Sequence, residues 1–114
     1  KLKANDVTSI AMAVRYNVLL LKKRHPDAKI VLLTPMQTTS APAQLITQAG
    51  DIIEQCAQRL NCYVIRLDKE SKVVAQSEKK RRVYTTDGTH TSVKGAKSNG
   101  KLIANCMLNF FKIF

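Results

Sequence analysis

A chain of 114 residues, 45% hydrophobic and 24% charged, is long enough for one folded domain and too short for two, and its composition excludes a disordered chain. Nineteen Lys and Arg against eight Asp and Glu give a net charge of +11, a field that favours anionic partners. No apolar run approaches the ~18 residues of a membrane span, and no charged start with a short apolar core marks a signal peptide.

The positive charge does not by itself indicate nucleic acid. Only 5% of the residues are aromatic, and the densest basic run, Lys79-Lys80-Arg81-Arg82, has Tyr84 as its one close aromatic neighbour. Stacking on single strands needs more, so a solvated basic loop is the expectation and nucleic acid is disfavoured as a partner. Cys56, Cys62 and Cys106 are odd in number and lack a C-x-x-C spacing, which indicates neither a disulfide framework nor a metal site. Cys56 and Cys106 fall on apolar helical faces and read as small core residues.

In chain order, Val7, Ile10, Ala11, Val14, Val18 and Leu21 recur with the period of an amphipathic helix from Val7 to about Arg24. Asn5 or Asp6 can cap it, Lys22 to Arg24 suit its carboxyl end, and His25 reads as a C-terminal cap before Pro26. Lys29 to Thr34 is an almost unbroken aliphatic run, the mark of a strand buried on both faces in a parallel sheet. The polar loop from Met36 to Pro42 follows it, at the strand end where open α/β sheets place ligands.

A second helix is predicted from about Pro42 to Leu60, with Leu45, Ile46, Ala49, Ile52, Ile53, Cys56 and Leu60 on one stripe and Asn61 able to end it in the left-handed conformation. Gly50 within it costs roughly 1 kcal/mol unless close packing needs the gap. Cys62 to Leu67 reads as the next strand, joined to the first by a right-handed crossover. Asp68 to Arg82 reads as a charged loop with one helical turn. From about Ser92 to the end a third helix carries Ala96, Leu102, Ile103, Cys106, Met107, Phe110 and Phe114, with Gly95 and Gly100 pointing to close packing or a late start. Two strands alone leave sheet edges and helix faces uncovered, so the chain reads as the latter part of a larger sheet.

Ahead of that last helix lies Thr86-Asp87-Gly88-Thr89-His90-Thr91-Ser92. A carboxylate and an imidazole three residues apart on a glycine turn are two thirds of a nucleophilic relay, with His90 as base and then acid and Asp87 orienting it. The same residues also fit an Asx turn followed by a helix cap at Thr91 or Ser92, with His90 simply exposed. Ser9, Ser40, Ser71, Ser77, Ser92 and Ser98 are the serines, and none stands in a nucleophile-elbow setting; Ser40, in the loop after the first strand, is the least unsuited.

The order of elements resembles the SGNH hydrolases, the GDSL esterase and lipase family. Asp87, Gly88, His90 and Gly95 match that family's final block, an Asp-Gly-x-His with a glycine five residues on. The stretch from His25 to Pro35 looks like its helix end and strand, and Asp51 to Leu67 looks like its next helix and strand, so the resemblance covers roughly Val7 to the end. The block carrying the nucleophilic serine is absent, as is the second-block glycine, and the third block aligns with Lys3-Ala4-Asn5-Asp6, lysine replacing its glycine.

The resemblance implies a three-layer α/β/α fold of the flavodoxin-like kind with a parallel sheet, residues 1 to 114 forming a single domain or the carboxyl-terminal part of one. It implies a serine esterase or acetylesterase in which His90 and Asp87 are catalytic, Asn5 serves the oxyanion hole, and the serine lies in a further segment or chain. It also implies no metal and no organic cofactor, ester substrates such as O-acetylated carbohydrate or acyl lipid, and an extracytoplasmic or secreted setting, and it leaves a homo-oligomer open. The competing class is a non-catalytic basic module on a hydrolase-derived fold, binding an anionic partner.

Overall fold

A computed structural model describes residues 2–112. Helix α1 (Ala4–Arg24) leads to strand β1 (Val31–Leu33), helix α2 (Ala43–Arg59) and strand β2 (Tyr63–Ile65). Helices α3 (Leu67–Glu70), α4 (Glu78–Tyr84) and α5 (Val93–Phe111) follow. The strands pair in parallel, Val31 opposite Tyr63 and Leu33 opposite Ile65, so α2 is the crossover that the sequence predicts.

The expected three-layer α/β/α architecture is not what the chain forms. Five helices dominate the described residues, and their one sheet has two strands of three residues each. So short a ribbon cannot separate two helical layers. Nor is β1 buried on both faces: Val31 and Leu32 are half-buried and Leu33 is 46% exposed. The aliphatic run that signals a buried strand signals here only a strand with little covering it.

Helix α1 begins earlier than its apolar period because Asp6, in the first turn, accepts a hydrogen bond from the Lys3 amide at 3.3 Å; neither Asn5 nor Asp6 is the N-cap. Val18 is buried and Ile10, Ala11 and Val14 half-buried, whereas Val7 and Leu21 are exposed. His25 caps the other end, its amide bonded to the Leu21 carbonyl. Helix α2 packs on α1, and Asn61 leaves it at φ 57° as expected. The gap at Gly50 is needed, since a side chain there would press on Arg66 and Asp68.

The charged stretch, read as a loop with one helical turn, instead carries α3 and the longer α4 with an irregular link between them. Ser77 caps α4 by accepting from the Lys80 amide, and Arg82 pairs with Glu78 one turn back, so the basic run lies on a helix. Val73 and Ala75, between α3 and α4, are among the most buried side chains. Helix α5 starts where Ser92 accepts from the Gly95 amide, and near its end Phe110 stacks on Tyr63 at 4.9 Å with Phe111 edge-on at 5.3 Å. Gly100 meets nothing, so close packing explains Gly95 and not Gly100. Phe114, placed by the sequence on this helix, lies outside the described residues.

The core is small and the molecule a slab of 43 × 42 × 18 Å. Its 7759 Å² of accessible surface compares with roughly 6,200 Å² for an ordinary monomer of 12.7 kDa.

Candidate active site

The turn carrying Asp87 and His90 is closed by its own neighbours. Thr85 and Thr91 form an isolated antiparallel bridge, the Thr86 amide bonds the His90 carbonyl at 2.9 Å, and the Ser92 amide bonds the Tyr84 carbonyl at 3.0 Å. These ties clamp the loop between the end of α4 and the start of α5. Gly88 sits at its tip with φ +85°, a conformation that favours glycine, and a side chain there would strike Thr39. The Gly88 amide donates to Thr85 Oγ1, and its carbonyl accepts from the Thr39 amide at 2.9 Å, so the loop after β1 docks on the turn. Gly95 permits the bond between Ser92 and Tyr84, because any Cβ would collide with the Tyr84 carbonyl.

Within this frame His90 Nδ1 lies 2.7 Å from Asp87 Oδ2. Asp87 Oδ1 accepts the backbone amides of Thr89 and His90 at 2.9 and 2.7 Å. The bond from the His90 amide, then that from its ring and then that from the Thr89 amide hold the Asp87 carboxyl well below the usual carboxylate range. The carboxylate therefore stays charged and fixes the imidazole by one nitrogen. Among the described residues nothing hydrogen-bonds His90 Nε2, and the side chains of His90 and Asp87 are 77% and 51% exposed. Asp87 makes the Asx turn, Ser92 caps the helix, and the exposed imidazole is held by the acid.

Asn5 lies in the first turn of α1, exposed. The adjoining Leu2 amide bonds Gln48 of α2 at 2.8 Å, which puts the amino end of α1 at the carboxyl ends of the strands, the end that also carries the Asp87 turn. No hydrogen bond joins Asn5 to His90 or Asp87 among the described residues. His25, at the other end of α1, sits at the opposite end of the strands.

Four of the serines are engaged elsewhere. Ser77 and Ser92 cap helices, and Ser71 bonds Asn99 and the Val73 amide. Ser40 shares a 2.6 Å bond with Thr38; its loop touches the Asp87 turn through Thr39, yet no bond links Ser40 to His90. Among the described residues no group of three or more His, Cys, Asp or Glu is gathered as a metal would require. The three cysteines are free thiols, half-buried, and burial pushes Cys62 and Cys106 up.

One polar cluster at the strand ends has no counterpart in the sequence reading. Arg66, directly after β2, bonds Asp68 through Nε and Nη2 at 2.8 and 2.6 Å and reaches Asp51 and Glu54 of α2 at 2.9 and 3.1 Å. Asp68 also accepts from Thr34 Oγ1, after β1, at 2.7 Å. The Asp68 side chain is 0% exposed and that of Arg66 7%. Burial raises the Asp68 carboxyl, but hydrogen bonds from Arg66 and Thr34 and the adjacent guanidinium charge outweigh it, and the net shift is downward. The bond to Asp68 is likewise what most strengthens the charged form of Arg66. An Arg-x-Asp immediately after an aliphatic strand is the signal that could have marked the pair.

No family model and no curated protein matches the chain. One crystal structure superposes on 84% of it with a TM-score of 0.74 at 24% sequence identity, and the chain spans 50% of the length of that protein. The likeness is one of fold.

Proposed function

We propose that this chain contributes the acid and base of a serine ester hydrolase of SGNH type whose nucleophile comes from a further polypeptide segment or chain. The observation that carries the reading is the 2.7 Å bond from His90 Nδ1 to Asp87, with Nε2 turned to solvent. In the reaction, Nε2 takes the serine hydroxyl proton as Oγ bonds to the ester carbonyl carbon. The carbonyl electron pair moves to oxygen, where the Asn5 amide is assigned to steady it. Collapse breaks the bond to the leaving oxygen, which receives the proton from Nε2. Water then repeats both steps on the acyl-serine. Asp87, kept ionised by its three hydrogen bonds, stabilises the imidazolium and does not take its proton.

The match of Asp87, Gly88, His90 and Gly95 to the family block supports the reading, since both glycines have structural work at that turn. The surface, roughly 1,500 Å² more than the mass requires, exceeds the ~800 Å² that one partner contributes to a standard interface and so supports a further polypeptide. O-acetylated carbohydrate and acyl lipid are the proposed ester classes. The test is the intact mass of native material with labelling by a serine-directed organophosphonate. A second polypeptide that takes the label, with hydrolysis lost in His90→Ala, is expected. A single unlabelled 114-residue species with no hydrolysis in any preparation would refute it. The net charge of +11 favours a second reading, a basic binding module, whose binding survives His90→Ala and weakens steeply with salt.

A further inference from the structure

A second site is suggested by charge rather than by the Asp87 turn. Along α5, Lys94, Lys97 and Lys101 follow at intervals of three and four, so they share one face and span about 10 Å at 1.5 Å per residue. With Lys72, beyond α3, they line an open groove of about 480 Å³. Among the described residues none of the four ammonium groups has a carboxylate within 4.0 Å, whereas Arg66, Lys69 and Arg82 do form such pairs. Four like charges with Glu70 as the one carboxylate lining the groove repel one another, and an anion in the groove relieves that repulsion.

The other lining groups restrict the anion. Tyr84 is the aromatic residue of the groove, and the Lys94 ammonium lies over one face of its ring at 5.9 Å, so at most the other face is left to stack on a nucleobase. Glu70 also faces the groove; it would repel a dense phosphate backbone but can accept from hydroxyls. Ser98 and Asn105 add a hydroxyl and an amide, and Leu102 is the one aliphatic side chain of the lining. We infer that this groove binds a carboxylated oligosaccharide laid along α5, its uronate groups on Lys94, Lys97 and Lys101 and its hydroxyls on Glu70, Ser98 and Asn105. Tyr84, which lines the groove, accepts the Ser92 amide through its carbonyl, so the groove adjoins the base of the Asp87 turn.

The inference goes beyond the hydrolase reading, because binding needs no nucleophile. Oligogalacturonate is titrated calorimetrically against wild type, Lys97→Glu/Lys101→Glu and, as a charge-matched control on α4, Lys79→Glu/Lys80→Glu, each checked for native circular dichroism. The expected result is binding that falls about tenfold or more in the α5 pair and little in the control, with a neutral oligosaccharide of equal length not bound. Equal losses in both pairs would mean overall charge alone and overturn the inference. Absence of oligogalacturonate binding would overturn it too, as would tighter binding of oligothymidylate or oligoglutamate. Wild-type binding by His90→Ala is expected; its loss would move the site onto the turn and sink the groove.

Discussion

Two short-range acid and base pairs sit at the same end of the strands and are built in opposite ways. Arg66 and Asp68 are two residues apart, almost wholly covered, and tied to α2 and to the end of β1. Asp87 and His90 are three residues apart, open to water, and fixed by backbone amides of their own turn. In the first pair both oxygens of the acid accept bonds from groups of the fold, so the charge is structural. In the second, one imidazole nitrogen is held and the other is left unengaged, which is the geometry a proton relay needs. Position at the strand ends therefore does not by itself mark a reactive group; what matters is whether a polar atom is left over.

The largest expected effect lies on the buried side. Asp68→Ala leaves the Arg66 guanidinium covered with part of its partner set gone, and a loss of about 3–5 kcal/mol of stability is expected, close to what a domain this small possesses. Asp87→Ala, which loses only the hydrogen bonds of an exposed turn, is expected to cost clearly less. Chemical denaturation of both variants checks the contrast, and equal losses would erase it.

Gly88→Ala comes next, costing about 1–2 kcal/mol from the positive φ and the collision with Thr39. Because Thr39 and the Asp87 carboxylate converge on this turn, the variant should also loosen the bond between His90 and Asp87. Imidazole nitrogen shifts by NMR would read that loosening, and unchanged shifts would show the turn to be held without its tip.

The smallest effect is in pH. Asp68 and Asp87 both have folded-state carboxyls below the ordinary value of ~3.9, so the folded chain binds fewer protons than the unfolded one just below that pH. Their stabilisation is fully present above about pH 4 and is lost as pH falls from there through the depressed folded values. Asp87, being exposed, should lose its share most readily when salt is added. Carboxyl carbon titrations would show both below the usual range, and an ordinary value for either would remove that residue from the comparison.

Much of the chain was legible as sequence. The periods of α1 and α2, Asn61 as a left-handed stop, and the Asp-Gly turn before α5 rest on local spacing along the chain; the parallel pairing of two aliphatic runs followed from the helix that separates them. Helix α4 was missed because its charges masked the cap at Ser77. The buried Arg66 cluster was missed because burial of a charge depends on what packs over it.

The expected layering failed for a related reason. An aliphatic run tells that a strand can be buried, and only the number of strands and helices actually assembled around β1 decides that Leu33 stays nearly half exposed. The sequence by itself determined the spacing of Asp87, Gly88, His90 and Gly95, because a turn of that length is set by local backbone geometry. Tertiary structure decided that Thr39 would lock Gly88, that Asp68 would vanish beneath Arg66 while His90 kept a nitrogen open, and that the lysines of α5 would face Lys72 and Glu70 across a groove, since each joins segments distant along the chain.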